Sequence, residues 1–272
     1  MGTAFTFVPD IPADKESVIQ SRLSDVERDH SVKFLFAIES GSRAWGFPSP
    51  DSDFDVRFVY AQDPSWYLSI KPGRDVIELP LEGDWDINGW DVQKAIGLLL
   101  KPNPVLLEWL SSPIHYRWDK RACQRLQAFA DEYVRPIDCL THYFHLAKNN
   151  WTRNIEGNTA VNLKKYFYAL RPVLAIRWVR SNPDLLPPMN FQGLINGTDI
   201  DRDLQSQISD LLRAKAESSE IGVGSRISEI DALIVSELDW ASENFPNKQT
   251  LSRAKRADAD RLFRDLIGYQ EP

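Results

Sequence analysis

Apolar positions along this chain follow two periods, and the balance between them changes near residue 118. Over residues 14–30, Val18, Leu23 and Val26 recur at roughly helical spacing, which predicts a first helix with Asp14 placed to cap it. Residues 32–38 form a short apolar, β-favouring run that reads as a central strand. Residues 54–60 set Val56, Phe58 and Tyr60 against Asp55, Arg57 and Val59, the two-residue period of a second strand. Between these strands Pro48 and Pro50 enforce irregular backbone. Residues 75–81 and 85–92 read as further strands joined by the turn Glu82-Gly83-Asp84. Short helices follow at 95–100 and 105–110.

Beyond about Trp118 the strand period disappears. Residues 121–134, 140–155, 161–180, 201–220, 225–244 and 254–267 carry helical spacing, with Pro172 inside the longest run. Residues 184–197, rich in Pro, Gly and Asn, read as a loop. The expected fold class is α+β: a mixed sheet flanked by helices over 1–118, then an α-helical domain over 119–272.

Composition narrows the partners. The chain has 272 residues and a net charge of −7, so no global basic field draws it onto nucleic acid. Several of its nine tryptophans fall in apolar helical segments, and most read as core. Cys123 and Cys139 lack metal-ligand spacing and read as free thiols of a reducing compartment. No basic-then-apolar leader opens the sequence and no apolar run reaches bilayer length. The expectation is a cytoplasmic protein with no membrane partner.

The candidate chemistry lies between the first two strands. Gly41-Ser42 follows an apolar strand, and Asp53-Phe54-Asp55 opens the next. Without a Cβ, Gly41 lets backbone approach a phosphate closely. Ser42 offers a hydroxyl, and a helix N-terminus beyond it favours anions. Two carboxylates at i and i+2 on a strand share one face and can hold divalent metal. Arg43 and Arg57 are near enough in sequence to touch phosphate, and Arg57 could equally form an ion pair on the sheet face. Asp51 and Ser52 read as turn-shaping residues. Trp45 reads as packing of the loop or as a stacking surface for a base.

Gly41-Ser42 followed by Asp53-x-Asp55 resembles the signature of the DNA polymerase β-like nucleotidyltransferase superfamily. The longer string Gly-Ser-Arg-Ala-Trp-Gly-Phe…Asp-Ser-Asp-Phe-Asp-Val-Arg is similar to a bacterial and phage group within it, one branch of which is associated with RNA repair. Asp86-Ile87-Asn88-Gly89-Trp90-Asp91, the segment 103–110 and Lys164-Lys165-Tyr166-Phe167 extend the resemblance over residues 34–180. It implies Mg²⁺ (or Mn²⁺) on Asp53 and Asp55, an NTP such as ATP on Gly41, Ser42 and Arg43, and a third carboxylate on a neighbouring strand. That carboxylate would act as ligand and base on the attacking hydroxyl. Asp86 is the first choice, with Asp91 and Glu78 as competitors; Asp91 could instead cap the helix that follows.

Lys148, Arg153, Lys164, Lys165, Arg171, Arg177 and Arg180 stand against a single Glu156 and form a local basic patch. Lys164 and Lys165 could reach a triphosphate or an RNA backbone, or they could be solvated. His142 and His145, spaced i, i+3, have no acidic partner at ligand spacing. The expected activity is NMP transfer from an NTP to an acceptor hydroxyl, an RNA 3′ end first, otherwise a protein or a small molecule. The rival is a non-catalytic nucleotide sensor or antitoxin-like partner on the same fold.

Overall fold

The computed structural model describes residues 8–217, 222–247 and 251–269. The chain forms two compact units, each assembled from non-adjacent segments. The sheet unit takes Pro9–Ala44, Asp53–Val134 and the described residues after 250. The helical unit takes Trp45–Ser52 and the described residues of 135–247.

The sheet unit opens with α1 (Ala13–His30), whose N-cap is Pro12; Asp14 lies inside the first turn, and no side chain caps this helix. Then come β1 (Lys33–Glu39), the five-residue α2 (Gly41–Trp45), β2 (Phe54–Ala61), α3 (Pro64–Tyr67), β3 (Val76–Glu78) and β4 (Trp85–Asp91). They are followed by α4 (Val92–Leu100), α5 (Pro104–Leu110), β5 (His115–Trp118) and α6 (Lys120–Tyr133). The strands form one mixed sheet in the order β3-β4-β2-β1-β5. β2 and β4 run parallel, and the other neighbours are antiparallel. Ile19, Leu23 and Val26 of α1 pack with Phe34, Val56, Phe58 and Ile87 on one sheet face. The alternation seen in the sequence holds here: Val56 and Phe58 are buried, whereas Asp55 and Arg57 are half-buried on the other face.

Two elements of this unit escaped the sequence patterning. β5 is only four residues long and α3 only four, too short to establish a period. The expected third strand also shrinks to Val76–Glu78.

The helical unit contains α7 (Leu140–Asn154), β6 (Ala160–Asn162), α8 (Lys164–Ser181), α9 (Phe191–Asn196), α10 (Arg202–Glu217), β7 (Val223–Ser225) and α11 (Ser228–Glu243). It is not helix-only, because β6 and β7 pair as a two-stranded ribbon. The expected 184–197 loop contains α9, which Asn190 caps by accepting from the Gly193 N–H. The last residues of the expected 201–220 helix lie outside the described residues. The chain then re-enters the sheet unit as α12 (Arg253–Leu266), so α6 and α12 accompany the sheet although the sequence boundary at 118 assigned both to the helical part. Cys123 and Cys139 are free and buried. Among the described residues no helix is long and apolar enough to cross a membrane.

Candidate active site

The site begins where β1 ends. Glu39 is fully buried, and its carboxylate accepts hydrogen bonds from the Asp55 N–H (2.9 Å) and the Tyr116 hydroxyl (2.7 Å). Its backbone carbonyl accepts from the Ser112 hydroxyl at 2.7 Å. The Ser40 N–H donates to the Asp55 carbonyl at 2.8 Å. The end of β1 is thus tied to the start of β2 before any ligand is considered. Burial pushes the Glu39 carboxyl up to about 8, although both hydrogen bonds favour its charged form.

Gly41 follows with φ +56°, a conformation that L side chains rarely adopt. A Cβ there would overlap the Asp55 carboxylate. Only glycine lets this carboxylate lie against the backbone that opens α2. Ser42 is the next residue of that helix. Arg43 Nε donates to the Asp53 carbonyl at 3.1 Å, and the guanidinium carbon lies 4.0 Å from the Phe54 ring centroid.

Strand register brings in the third carboxylate. In the parallel β2/β4 pair, Asp55 is the partner of Asp86. One Arg57 nitrogen, Nη2, donates to Asp55 Oδ1 at 2.9 Å and to Asp86 Oδ2 at 2.7 Å. Asn88 Nδ2 donates to Asp86 Oδ1 at 3.1 Å. Burial raises the Asp55 pKa; the Arg57 charge lowers it, and Asp86 and Asp53 add to the rise. The competitors are occupied elsewhere. Asp91 is buried and caps α4, accepting from the Gln93 N–H at 2.7 Å and from the Tyr67 hydroxyl at 2.8 Å. Glu78 pairs with Arg74 at 2.7 Å on β3.

The structure therefore gathers Gly41, Ser42, Arg43, Asp53, Asp55, Arg57 and Asp86 in the sheet unit. Among the described residues, no three His, Cys, Asp or Glu side chains are grouped to hold one metal ion. What is present is a two-carboxylate seat, with oxygens of Asp55 and Asp86 converging on one cationic nitrogen. Mg²⁺ typically uses one or two protein carboxylates and completes its shell with water and substrate phosphate, so this donor set fits it.

The remaining expected residues lie in the helical unit. Lys164 and Lys165 open α8. Lys164 pairs with Asp51 at 3.5 Å, and Lys165 is exposed above the Tyr168 ring. Ser49 and Ser52 close the turn beside Asp51, with the Ser52 N–H donating to the Ser49 carbonyl at 3.0 Å. Trp45 packs edge-on to Tyr168 beneath the Arg171 guanidinium. Much of the basic patch is structural. Arg171 is buried and donates to the Met189 carbonyl, while Arg177 and Arg180 share the buried Glu237. Lys148 pairs with Glu156. His142 lies against Tyr143, and His145 against Phe144 and Phe245.

Sequence reasoning gave Glu39 and Tyr116 no role. The one signal for Glu39 was a charged residue ending an apolar strand just before Gly-Ser. Nothing marked Tyr116, which sits on the strand that the patterning missed.

This sheet, with Gly-Ser at the mouth of α2 and aspartates facing each other across parallel strands, is the architecture of polymerase β-like nucleotidyltransferases. The chain belongs to the RNA repair pathway DNA polymerase beta family, whose model matches residues 16–265. It is also similar to the uncharacterized protein YcgL of Bacillus subtilis (strain 168). The two are 37% identical over 253 residues, 93% of this chain and 96% of the relative.

Proposed function

We propose that this protein is a divalent-metal-dependent nucleotidyltransferase that moves an NMP from an NTP to an acceptor hydroxyl, with an RNA 3′ end as the acceptor. The observation that carries the reading is the convergence of Asp55 and Asp86 on one cation seat beside the Gly41-Ser42 turn. The family's link to RNA repair supports the choice of acceptor.

In this reading Asp55 and Asp86 would hold Mg²⁺ or Mn²⁺, and Asp53 would join them as a ligand once metal and nucleotide are bound. When bound, the metal neutralises phosphate charge and polarises the α-phosphate. The first N–H groups of α2 and the Ser42 hydroxyl orient the triphosphate. Asp86 takes the proton of the acceptor hydroxyl. Its oxygen attacks the α-phosphorus, the bond to the β-phosphate oxygen breaks, and pyrophosphate leaves. Glu39 and Tyr116 contribute by fixing β1 against β2, so that Asp55 needs little rearrangement when the nucleotide arrives. The exposed Lys165 of α8 is the cation we assign to the backbone of the acceptor RNA.

The test is incubation with each α-³²P-labelled NTP, Mg²⁺ or Mn²⁺, total RNA and cell lysate, with an Asp53→Ala/Asp55→Ala control. Nuclease-sensitive label that is absent in the control is the expected result. Label on protein or on a small molecule would replace RNA with that acceptor. Metal-dependent NTP binding with no labelled species would favour a sensor or antitoxin-like partner.

A further inference from the structure

We infer that Arg57 is the resident counter-cation of the Asp55–Asp86 pair and that divalent metal enters this seat by displacing its guanidinium. The inference rests on the metal-dependent reading above. Its ground is the single nitrogen Nη2 shared by both carboxylates, at 2.9 Å and 2.7 Å.

The rest of the guanidinium is fixed independently of those carboxylates. Nη1 donates to the Val56 carbonyl at 3.1 Å and to the Asp86 carbonyl at 2.7 Å. The side chain is 15% exposed, so these contacts are little diluted by water. Arg57 is on β2 two residues beyond Asp55, and the strand period returns it to the same face. A planar fork can serve two backbone carbonyls with one nitrogen and two carboxylates with the other. A lysine ammonium has no such spread.

The arrangement answers a physical problem. Asp55 and Asp86 face each other in register, and Asp55 is largely shielded from water; two carboxylates so placed repel. A protein waiting for metal needs a positive charge between them. Arg57 supplies it, and the same charge competes with the ion for the same oxygens. The seat is therefore neutralised at rest and takes up free metal weakly. A nucleotide that brings its own metal and further oxygen ligands would shift the exchange toward the ion.

The test is Mn²⁺ binding without nucleotide or acceptor, followed by electron paramagnetic resonance of the free ion. Arg57→Gln is expected to tighten binding at least ten-fold, and Asp55→Asn to abolish it. Removing any nearby positive charge would favour a cation, so the guanidinium itself must also be watched. In ¹⁵N NMR of arginine side chains, the restrained Arg57 Nη–H signals, assigned through Arg57→Lys, are expected to collapse as Mg²⁺ is added to the wild-type protein. This second measurement does not require Arg57→Gln to fold. Unchanged signals at saturating Mg²⁺, equal or weaker Mn²⁺ binding in folded Arg57→Gln, or no Mn²⁺ binding in any folded form would each overturn the inference. A protein that transfers no nucleotide can still pass these measurements, and an active transferase can fail them.

Discussion

Glu39 in the sheet unit and Lys215 in the helical unit are both almost fully buried, and neither has an ion pair among the described residues. Their surroundings differ. Both Glu39 oxygens are met by hydrogen bonds, one from the backbone of Asp55 and one from Tyr116. The Lys215 ammonium faces aromatic rings, 4.3 Å from the Phe47 centroid and 5.4 Å from that of Phe167. Burial pushes Lys215 down to about 7; nearby Lys164 adds to the fall and Asp51 opposes it. The sheet unit uses its buried carboxyl group to tie two strands that flank the site. The helical unit sets its own buried group against a packed aromatic cluster, where cation–π attraction and the more distant Asp51 charge offset lost hydration only in part. A buried ionisable group thus reports on positioning in one unit and on packing in the other.

The largest test of that contrast is Asp53→Ala/Asp55→Ala. Loss of nucleotidyl transfer should exceed the roughly 10–100-fold typical of outer-shell partners of a metal site. The melting temperature should be kept or raised, because like charges are removed. A large fall in melting temperature would mean that these carboxylates serve the fold.

The helical counterpart is Arg177→Ala. Arg177 donates to the fully buried Glu237 at 2.6 Å, and Arg180 remains only at 3.7 Å. Breaking this pair should destabilise the protein by about 3 kcal/mol in denaturant titration, with Mn²⁺ affinity unchanged. Gly41→Ala should cost about 1–2 kcal/mol from its left-handed backbone alone. It should also weaken Mn²⁺ binding, because the new Cβ displaces the Asp55 carboxylate. Kept affinity would show that the close approach is incidental.

The two buried groups should give opposite pH slopes. The folded pKa of Glu39 is raised from 4.5 to about 8, so its protonated form is favoured and stability falls as pH rises through that window. The folded pKa of Lys215 is lowered from 10.5 to about 7, so stability falls as pH drops from 10.5 to 7. Glu39→Gln should flatten the acid-side slope and Lys215→Met the alkaline-side slope, read as melting temperature against pH. Slopes unchanged in both variants would sink the comparison. The smallest expected effect is that of Lys165→Ala, which should lower the salt dependence of RNA binding by about one in log–log slope.

Much of the sheet unit could be read from the sequence, because its signals are local. The alternation of Val56 and Phe58 with Asp55 and Arg57 needs eight residues of context, and the Gly41-Ser42 turn needs fewer. The Arg177–Glu237 pair and the β6/β7 ribbon were not legible, since each joins residues far apart in sequence whose types are also common on solvated surfaces. The basic patch misled for the same reason: composition counts charges but not their partners, and Arg171, Arg177 and Arg180 are spent on Met189 and Glu237.

By itself the sequence determined the strand and helix periods, the glycine that a tight approach requires and the residue types of the candidate site. Tertiary structure decided which carboxylate faces Asp55. The sequence ranked Asp86 ahead of Asp91 and Glu78 without excluding either; parallel register places Asp86 opposite Asp55, cap geometry uses Asp91, and Arg74 holds Glu78. It also decided that Glu39 braces Asp55 through its backbone and that Arg57 fills the seat between the carboxylates. Local propensity acts over a few residues, whereas register, burial and charge pairing exist only once distant segments are packed together.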